Sequence, residues 1–274
     1  MSTGGGRERL LAEVTRSFGG ASDARLVEVL QALAGHLHGF ASEVDLTRDE
    51  WRAAIDFLTR TGQACGPTRQ EFVLLSDVLG LSSLVEMDDV DSATEGTVLG
   101  PFYAPDSPFR DLGASILEGE QAGEPLLVRG RVTDPGGGPL AGAVLDVWQN
   151  AANRLYAVQD RGQHPHNLRG RFRAGEDGAF TFRTIRPVPY PIPDDGPVGR
   201  LLRAAGRHPW RAAHIHVIAS APNHRTVTTH VFDAESDYLD SDAVFGVRES
   251  LIVPMRKEAG ILTAGFDLVL APAG

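Results

Sequence analysis

The sequence predicts an α+β protein in which an N-terminal helical segment packs on a C-terminal antiparallel β-sandwich. Apolar residues in the first third recur at the spacing of a helix, and those after residue 92 alternate as they do in strands. An acidic run between the two regions, MDDVDSATEG, marks a natural boundary. We therefore expect a helical domain over residues 1–92 and a β-sandwich domain over residues 93–274.

The helical pattern is clearest in one stripe of leucines at steps of four, three and four, which are Leu26, Leu30, Leu33 and Leu37. Ser22 is predicted to cap this helix. Two further helices are predicted to begin at capping boxes, in which a hydroxyl and a carboxylate satisfy free backbone amides. These boxes pair Thr47 with Glu50 and Thr68 with Glu71, and Gly62 and Gly80 are the predicted helix ends. Three or four helices should fill roughly residues 7–88.

Strand-like alternation marks the rest of the chain. The clearest segments are LLVRGRVTD, AVLDVWQ, AFTFRTI, HIHVIAS, TVTTHVFD and FDLVL, with turn clusters such as DPGGGP between them. Two long connections, at roughly residues 157–178 and 186–212, show no clear period. Long loops on a rigid sandwich are where a functional site is expected.

Composition narrows the function classes. The 274 residues are 42% hydrophobic, which is enough to bury a large core. The formal net charge of -10 argues against nucleic-acid binding, because an acidic surface repels phosphates. The single Cys65 cannot form an internal disulfide, and no apolar run has the length of a signal peptide or a membrane span. We expect a cytoplasmic protein that does not bind membranes.

The strongest local signal for chemistry is a His-x-His pair at the start of a predicted strand. Because side chains alternate along a strand, His214 and His216 project from the same face. Two neutral imidazoles on one face suit metal chelation, although histidines at this spacing also serve purely structural roles. The spacing fits zinc and iron(II) as well, so the pair alone does not identify the metal.

Two of the four tyrosines, Tyr156 and Tyr190, lie in loop-rich contexts just after strand-like segments. An isolated tyrosine is usually a core or rim residue. A phenolate is a hard anionic donor, and its proton, with a pKa of about 10 in water, comes off easily beside a strong Lewis acid. Two phenolates and two imidazoles together would select iron(III).

Four segments then carry a resemblance that covers nearly the whole chain. They are EGTVLGPFY at 95–103, DVWQN at 146–150, YPIPDDGPVG at 190–199 and GRHPWRAAHIH at 206–216. Together they resemble the intradiol ring-cleavage dioxygenases, the family of catechol and hydroxyquinol 1,2-dioxygenases. The resemblance implies one Fe(3+) per chain, bound by Tyr156, Tyr190, His214 and His216, and a helical segment on a β-sandwich.

The resemblance also implies catalytic roles for Arg211 and Tyr190, and His230 is a third candidate. Arg211 would lie beside the reacting carbon and stabilise negative charge there, whereas without the resemblance it would be interpreted as a surface arginine. Tyr190 would leave the metal and act as a base, while Tyr156 stays bound. His230, on the next predicted strand, is given equal weight as a structural residue and as a residue supporting the metal ligands.

Two later segments, THVFD at 229–233 and YLDSDAVFGV at 238–247, resemble the hydroxyquinol branch, and catechol enzymes usually carry glutamine at the position of His230. The branch implies a substrate pocket formed by Leu74, Asp77, Val98, Leu99, Gly100, Pro101, Phe102, Ile192, Pro193, Arg211 and Val244. Among these, Asp77 is the one ionisable acceptor; without the resemblance it would be interpreted as a surface carboxylate on a helix.

The implied reaction is cleavage of hydroxyquinol (1,2,4-trihydroxybenzene) by O2 to 3-hydroxy-cis,cis-muconate, a tautomer of maleylacetate. Catechol or chlorocatechol 1,2-dioxygenase activity is the alternative within the family. A β-sandwich binding module without catalysis is the alternative from another class. The resemblance further implies a homodimer through the N-terminal helices, with a lipid bound at the interface as a further expectation.

Overall fold

The computed structural model describes residues 4–66, 69–87 and 93–273. The chain divides into two compact units, Met1–Thr59 and Arg60–Gly274. The predicted domain boundary near residue 92 remains a prediction. No helix in the described ranges combines the length and the apolar character that a membrane crossing requires.

The described residues form six α-helices. They are α1 (Gly4–Ser17), α2 (Ala24–Glu43), α3 (Arg48–Gln63), α4 (Glu71–Val78), α5 (Leu81–Glu86) and α6 (Pro197–Ala204). A 3-10 turn, Phe18–Gly20, joins α1 to α2. Five helices therefore precede the strands, more than predicted, because α5 has only six residues and is too short to show a helical period.

The predicted helix starts were partly wrong. Asp23, not Ser22, caps α2, and its Oδ1 accepts hydrogen bonds from the amides of Arg25 (2.9 Å) and Leu26 (3.2 Å). The helix begins one residue later than predicted, which places the aspartate at the capping position. The predicted Thr68 box lies outside the described residues.

The box at the start of α3 is confirmed. Glu50 Oε2 accepts from the Thr47 amide at 2.9 Å, and Thr47 Oγ1 accepts from the Glu50 amide at 3.3 Å. Gly62 lies inside α3 and does not end it. Gly80 does end α4, because it adopts the left-handed conformation with φ 76°.

In the first unit, α1 contacts α2, and Gln31 Nε2 donates to the Thr15 carbonyl at 3.0 Å. The leucine stripe on α2 is largely uncovered in this chain, with Leu26, Leu33 and Leu37 at 47%, 51% and 57% exposure. A stripe of this size in water is unfavourable, since each Å² of apolar surface buried stabilises by about 25 cal/mol.

Twelve strands lie in the described part of the second unit. They are β1 (Pro125–Thr133), β2 (Val144–Trp148), β3 (Arg169–Arg173), β4 (Ala179–Ile185), β5 (Tyr190–Pro191), β6 (Trp210–Arg211), β7 (His214–Ser220), β8 (Val227–Asp233), β9 (Ile252–Val253), β10 (Met255–Glu258), β11 (Ile261–Gly265) and β12 (Leu268–Val269). Each predicted segment overlaps one of them. The two long connections were not irregular throughout, because they contain β3, β5, β6 and α6.

The strands form two five-stranded sheets and one short ladder. Sheet A has the order β10-β11-β1-β12, with β4 also paired to β1, and sheet B has the order β3-β2-β7-β8-β9. The prediction of an antiparallel sandwich was wrong in part. β1 runs parallel to β11 and β12, and β8 runs parallel to β9, so the strand directions are mixed. Alternation reveals a strand but not the direction of its partner.

The core lies between sheets A and B, and alternate residues of each strand enter it. Its members include Leu126, Val128, Leu145, Val147, Phe172, Phe182, Ile215, Val217 and Val231. In β1, position 130 has room only for glycine, because a Cβ there would lie 1.7 Å from the Phe266 carbonyl oxygen. Since Ile215 and Val217 point into the core, the intervening histidine of β7 points to the outer face of sheet B.

Candidate metal centre

Three buried histidines lie together on the outer face of sheet B. His214 and His216 belong to β7, and His230 on β8 pairs with His216 in the register. Each side chain is at most 1% exposed, and one potential ligand atom from each lies within 4.8 Å of the others. The group can therefore contribute imidazole ligands to a metal ion.

The hydrogen bonds of His214 define which nitrogen is free. Its Nδ1 lies 2.7 Å from the Ala212 carbonyl and must donate to it, which leaves Nε2 with a lone pair. That Nε2 lies 3.1 Å from His216 Nε2, and Arg211 Nη1 approaches it at 3.2 Å. Burial, and then nearby positive charge, lowers the pKa of both histidines well below the ordinary value. Both rings are therefore neutral and suited to binding a metal.

The two tyrosines predicted as ligands pack beside these histidines. Tyr156 Oη is 2.9 Å from His216 Nε2, and the ring centroids of Tyr156 and Tyr190 are 5.2 Å apart. Burial, and secondly the neighbouring Tyr190, raises the pKa of Tyr156 well above its ordinary value. Without a cation the phenol would keep its proton, so a phenolate here requires a metal ion.

The spacing of these donors fits a single ion. Two ligand atoms at about 2.0–2.1 Å from a metal, roughly at right angles, lie about 3 Å apart. Tyr156 Oη, His216 Nε2 and His214 Nε2 follow one another at 2.9 and 3.1 Å. His230 belongs to the imidazole group as well, but its ring packs against His214 with centroids 4.4 Å apart. The tyrosine-containing set matches the chemistry of a hard trivalent ion better than three imidazoles do.

Arg211 is the fixed positive charge of the site. It is 2% exposed and pairs with Asp242 through two contacts, Nε to Oδ1 at 3.0 Å and Nη2 to Oδ2 at 3.2 Å. Burial alone would lower the pKa of Arg211, but Asp242 and the tyrosines raise it above its usual range. Its Nη1 also lies 3.5 Å from Tyr190 Oη. The surface location considered for Arg211 is therefore wrong.

Sequence reasoning missed two residues that build this site. Asp242 lies in a segment quoted for the family resemblance, but its contact with Arg211 depends on the fold. Trp148, at the end of β2, stacks on His216 with centroids 4.6 Å apart and an angle of 11°. Its place in the DVWQN segment was the available signal.

Aromatic and small residues pack around the ligands. Phe102 stacks on Tyr156 with centroids 4.8 Å apart. Gly100 has φ 76°, and a Cβ at that position would lie 3.4 Å from His216 Cε1. This backbone therefore approaches the ligand closely, and a side chain here would be strained.

Asp77 is buried rather than on the surface. The side chain is 1% exposed, and its Oδ1 has no hydrogen-bond partner among the described residues. Burial raises the pKa of Asp77, while the Ser82 hydroxyl and the charge of Arg211 lower it. A buried acceptor without a partner is unfavourable unless something binds it.

The other predicted pocket residues are mostly buried. Leu74, Pro101, Phe102 and Pro193 line one cavity of about 330 Å³, together with Arg69, Glu71, Gln159 and Asp195. Val98, Ile192 and Val244 are at most 2% exposed. Leu99 differs from them, with 37% exposure, and its place in the pocket stays a prediction.

Comparison with known proteins shows the family of the chain. A family model described as Dioxygenase matches residues 98–272, and one described as Catechol dioxygenase N terminus matches residues 23–96. The chain is 51% identical to a 6-chlorohydroxyquinol 1,2-dioxygenase of Cupriavidus pinatubonensis, over 91% of this chain and 92% of the relative. It is 48% identical to a hydroxyquinol 1,2-dioxygenase of Rhizobium sp., over 91% of this chain and 86% of the relative.

A solved structure has the same fold. The crystal structure of hydroxyquinol 1,2-dioxygenase from Pseudomonas putida DLL-E4 superposes with a TM-score of 0.88 at 44% identity, covering 97% of this chain and 99% of that one. The predicted helical region followed by a β-sandwich is thus confirmed, with the mixed strand directions described above.

Proposed function

The chain belongs to the intradiol ring-cleavage dioxygenases, and on this premise we propose that it cleaves hydroxyquinol between its two adjacent hydroxyls. O2 is the co-substrate, both of its atoms enter the product, and no external reductant is needed. The product is 3-hydroxy-cis,cis-muconate, which tautomerises to maleylacetate. One observation carries the proposal: the donor atoms of Tyr156, His214 and His216 converge beside the buried cation of Arg211.

Iron(III) is the metal that this donor set suits. Phenolate oxygen is a hard donor and the two imidazoles are intermediate, so Tyr156, Tyr190, His214 and His216 together favour a trivalent ion, one per chain. When bound, a ferric ion supplies the Lewis acidity that lets a diol bind as its dianion and react directly with O2.

Tyr190 is the residue proposed to move a proton. It lies on β5, whose two-residue ladder pairs it with Arg211. If released from a bound metal ion, its Oη could take one of the two protons of the diol. Tyr156 is held between Phe102 and His216 and stays in place. Arg211 keeps its charge and can stabilise the negative charge that develops on the ring.

Asp77 is proposed to bind the third hydroxyl of hydroxyquinol. Its unpartnered Oδ1 is an acceptor that neither catechol nor a chlorocatechol can satisfy at that ring position. A site built to bind a hydroxyl rejects the analogue that lacks it, because the buried polar group is then left without a partner. Catechol and chlorocatechol remain the alternative substrates to be measured against it.

His230 is proposed to position the metal ligands. Its ring packs on His214, with centroids 4.4 Å apart, and edge-on against His216 at 4.2 Å. Contacts of this kind restrict the orientation of both imidazoles.

We also propose a homodimer through the N-terminal helices, in the cytoplasm. The exposed leucine stripe on α2 supports it, since a second copy would cover that apolar surface. A lipid bound between the apolar helices is part of the same proposal.

The deciding experiment measures O2 uptake by iron-loaded protein with hydroxyquinol and catechol, together with product identification. We expect one O2 consumed per hydroxyquinol, and kcat/KM for hydroxyquinol to exceed that for catechol. A higher kcat/KM for catechol would overturn the substrate assignment. The absence of a ring-opened product from every diol would overturn the activity.

A further inference from the structure

We propose that Asp195 promotes release of the dicarboxylate product by occupying Arg69, the cation at the mouth of the substrate cavity. The inference rests on the proposed function, because it concerns how the ring-opened product leaves. Arg69 and Asp195 line the same cavity as Leu74, Phe102 and Pro193. The proposal takes this cavity as the route by which the substrate enters and the product leaves.

The guanidinium of Arg69 lies between two carboxylates. On one side its Nε donates to Glu71 Oε2 at 2.8 Å. On the other side its Nη1 lies 2.9 and 3.1 Å from the two carboxylate oxygens of Asp195. Arg69 therefore has a carboxylate-binding position that Asp195 fills.

The two carboxylates differ in how firmly they are held. Glu71 is fully buried, and its Oε1 accepts from the Val198 amide in the first turn of α6 at 3.0 Å. Asp195 has a side chain that is 76% exposed. An exposed ion pair is weak and screened by salt, so another carboxylate can replace Asp195 but not Glu71.

The reaction changes the charge of the molecule in the cavity. Hydroxyquinol is a phenol and uncharged near neutral pH, whereas the ring-opened product carries two carboxylates that ionise with pKa values of about 4. In the described part of the chain, Arg69 is the one cationic residue that lines this cavity. A free Arg69 would bind a product carboxylate through its planar fork and retain it.

With Asp195 in place, the mouth carries one cation and two carboxylates. Its formal charge is then negative and opposes binding of a dianion, while a neutral triol is unaffected. Asp195 therefore acts as a built-in competitor of the product for Arg69. The consequence is weaker product inhibition at the same affinity for substrate.

Asp195→Asn tests the proposal, and Asp194→Asn is its matched control. Asp194 is the adjacent residue, pairs with Arg203 at 3.3 Å with both side chains 56% exposed, and does not line the cavity. Both substitutions remove one negative charge. The measurement is the inhibition constant of the purified product, and of cis,cis-muconate as a stable dianionic probe, against O2 uptake with hydroxyquinol.

We expect Asp195→Asn to lower the inhibition constant about two- to fivefold relative to KM, the size of effect that one exposed charge contact gives. Asp194→Asn should leave the ratio of inhibition constant to KM unchanged. This gain in affinity for the dianion should disappear in the Arg69→Gln/Asp195→Asn double variant. It should also disappear at about 1 M salt, where the screening length is about 3 Å. A purely structural disturbance of the mouth would shift KM and the inhibition constant together.

The inference would be overturned if the two single variants had the same ratio of inhibition constant to KM. It would also be overturned if the gain in affinity for the dianion persisted at high salt. If the double variant fails to fold, the salt dependence of Asp195→Asn alone decides. Failure of the proposed function looks different, because the wild-type protein would then form no ring-opened product at all.

Discussion

Replacing Asp77 by Asn or Ala separates recognition of the third hydroxyl from the cleavage reaction. The Oδ1 of Asp77 has no partner among the described residues, and the side chain is 1% exposed. Hydroxyquinol would donate its third hydroxyl to this oxygen, and catechol has no group there. The substitution should therefore affect one substrate far more than the other.

The magnitude follows from one lost hydrogen bond to a charged group, about 1.5 to 3 kcal/mol. Because each 1.4 kcal/mol is about tenfold in kcat/KM, Asp77→Ala should lower hydroxyquinol turnover by about ten- to a hundredfold. The loss for catechol should be several times smaller. Folding should not suffer, since Asp77→Asn removes a buried charge whose pKa is raised mainly by burial.

The assay is O2 uptake with both substrates on iron-loaded wild type, Asp77→Asn and Asp77→Ala, with iron content and Tm measured on the same samples. Catechol is the internal control, because any loss of iron or of folded protein reduces both rates together. Equal losses on the two substrates would remove Asp77 from the specificity argument. A lowered Tm with unchanged kcat/KM would make Asp77 a structural residue.

Three further predictions concern the metal, the cation and the assembly. The purified protein should contain about one iron per chain and absorb visible light through phenolate-to-iron(III) charge transfer. His214→Ala should lose iron and colour together, whereas Tyr190→Phe should keep some iron and lose turnover. A fully coloured, active His214→Ala variant would contradict the ligand assignment. Asp242→Asn should lower kcat by about tenfold or more, because Arg211 loses its charged partner, while metal analysis should show normal iron; an unchanged kcat would show that the pair does not position Arg211. Light scattering at micromolar concentration should give a dimeric mass that Leu33→Asp reduces, and a monomeric wild type would exclude the dimer.

Some strands were predictable to the residue and others were not. AFTFRTI and HIHVIAS coincide with β4 and β7, because apolar residues alternate clearly along one face of each segment. β3 was missed, since RGRFR is mostly charged and its Arg169, 5% exposed, is buried through pairing with Asp106 at 2.7 Å. The parallel pairing of β1 with β11 depends on distant chain segments and leaves no local signal.

Some residues of the candidate site could likewise be predicted from the sequence, and others could not. Strand alternation alone placed His214 and His216 on one face, but the tyrosine ligands came from the family resemblance rather than from spacing. The burial of Asp77 could not be read from α4, where a mid-helix carboxylate would ordinarily face water. Asp242 and Trp148 act through contacts with residues distant in sequence, which only the folded chain reveals.

The positions of the ligands in the fold account for their different proposed roles. His214 and His216 lie on β7, a seven-residue strand hydrogen-bonded to β2 on one side and β8 on the other. Their backbone cannot move without breaking sheet B, so they are suited to remain bound throughout turnover. Tyr190 lies on β5, a two-residue strand whose described partner is the equally short β6. A ligand proposed to leave the metal and return would suit an element of this kind, whose displacement breaks few hydrogen bonds. The same ladder pairs Tyr190 with Arg211, so a displacement of Tyr190 would also disturb the backbone of Arg211.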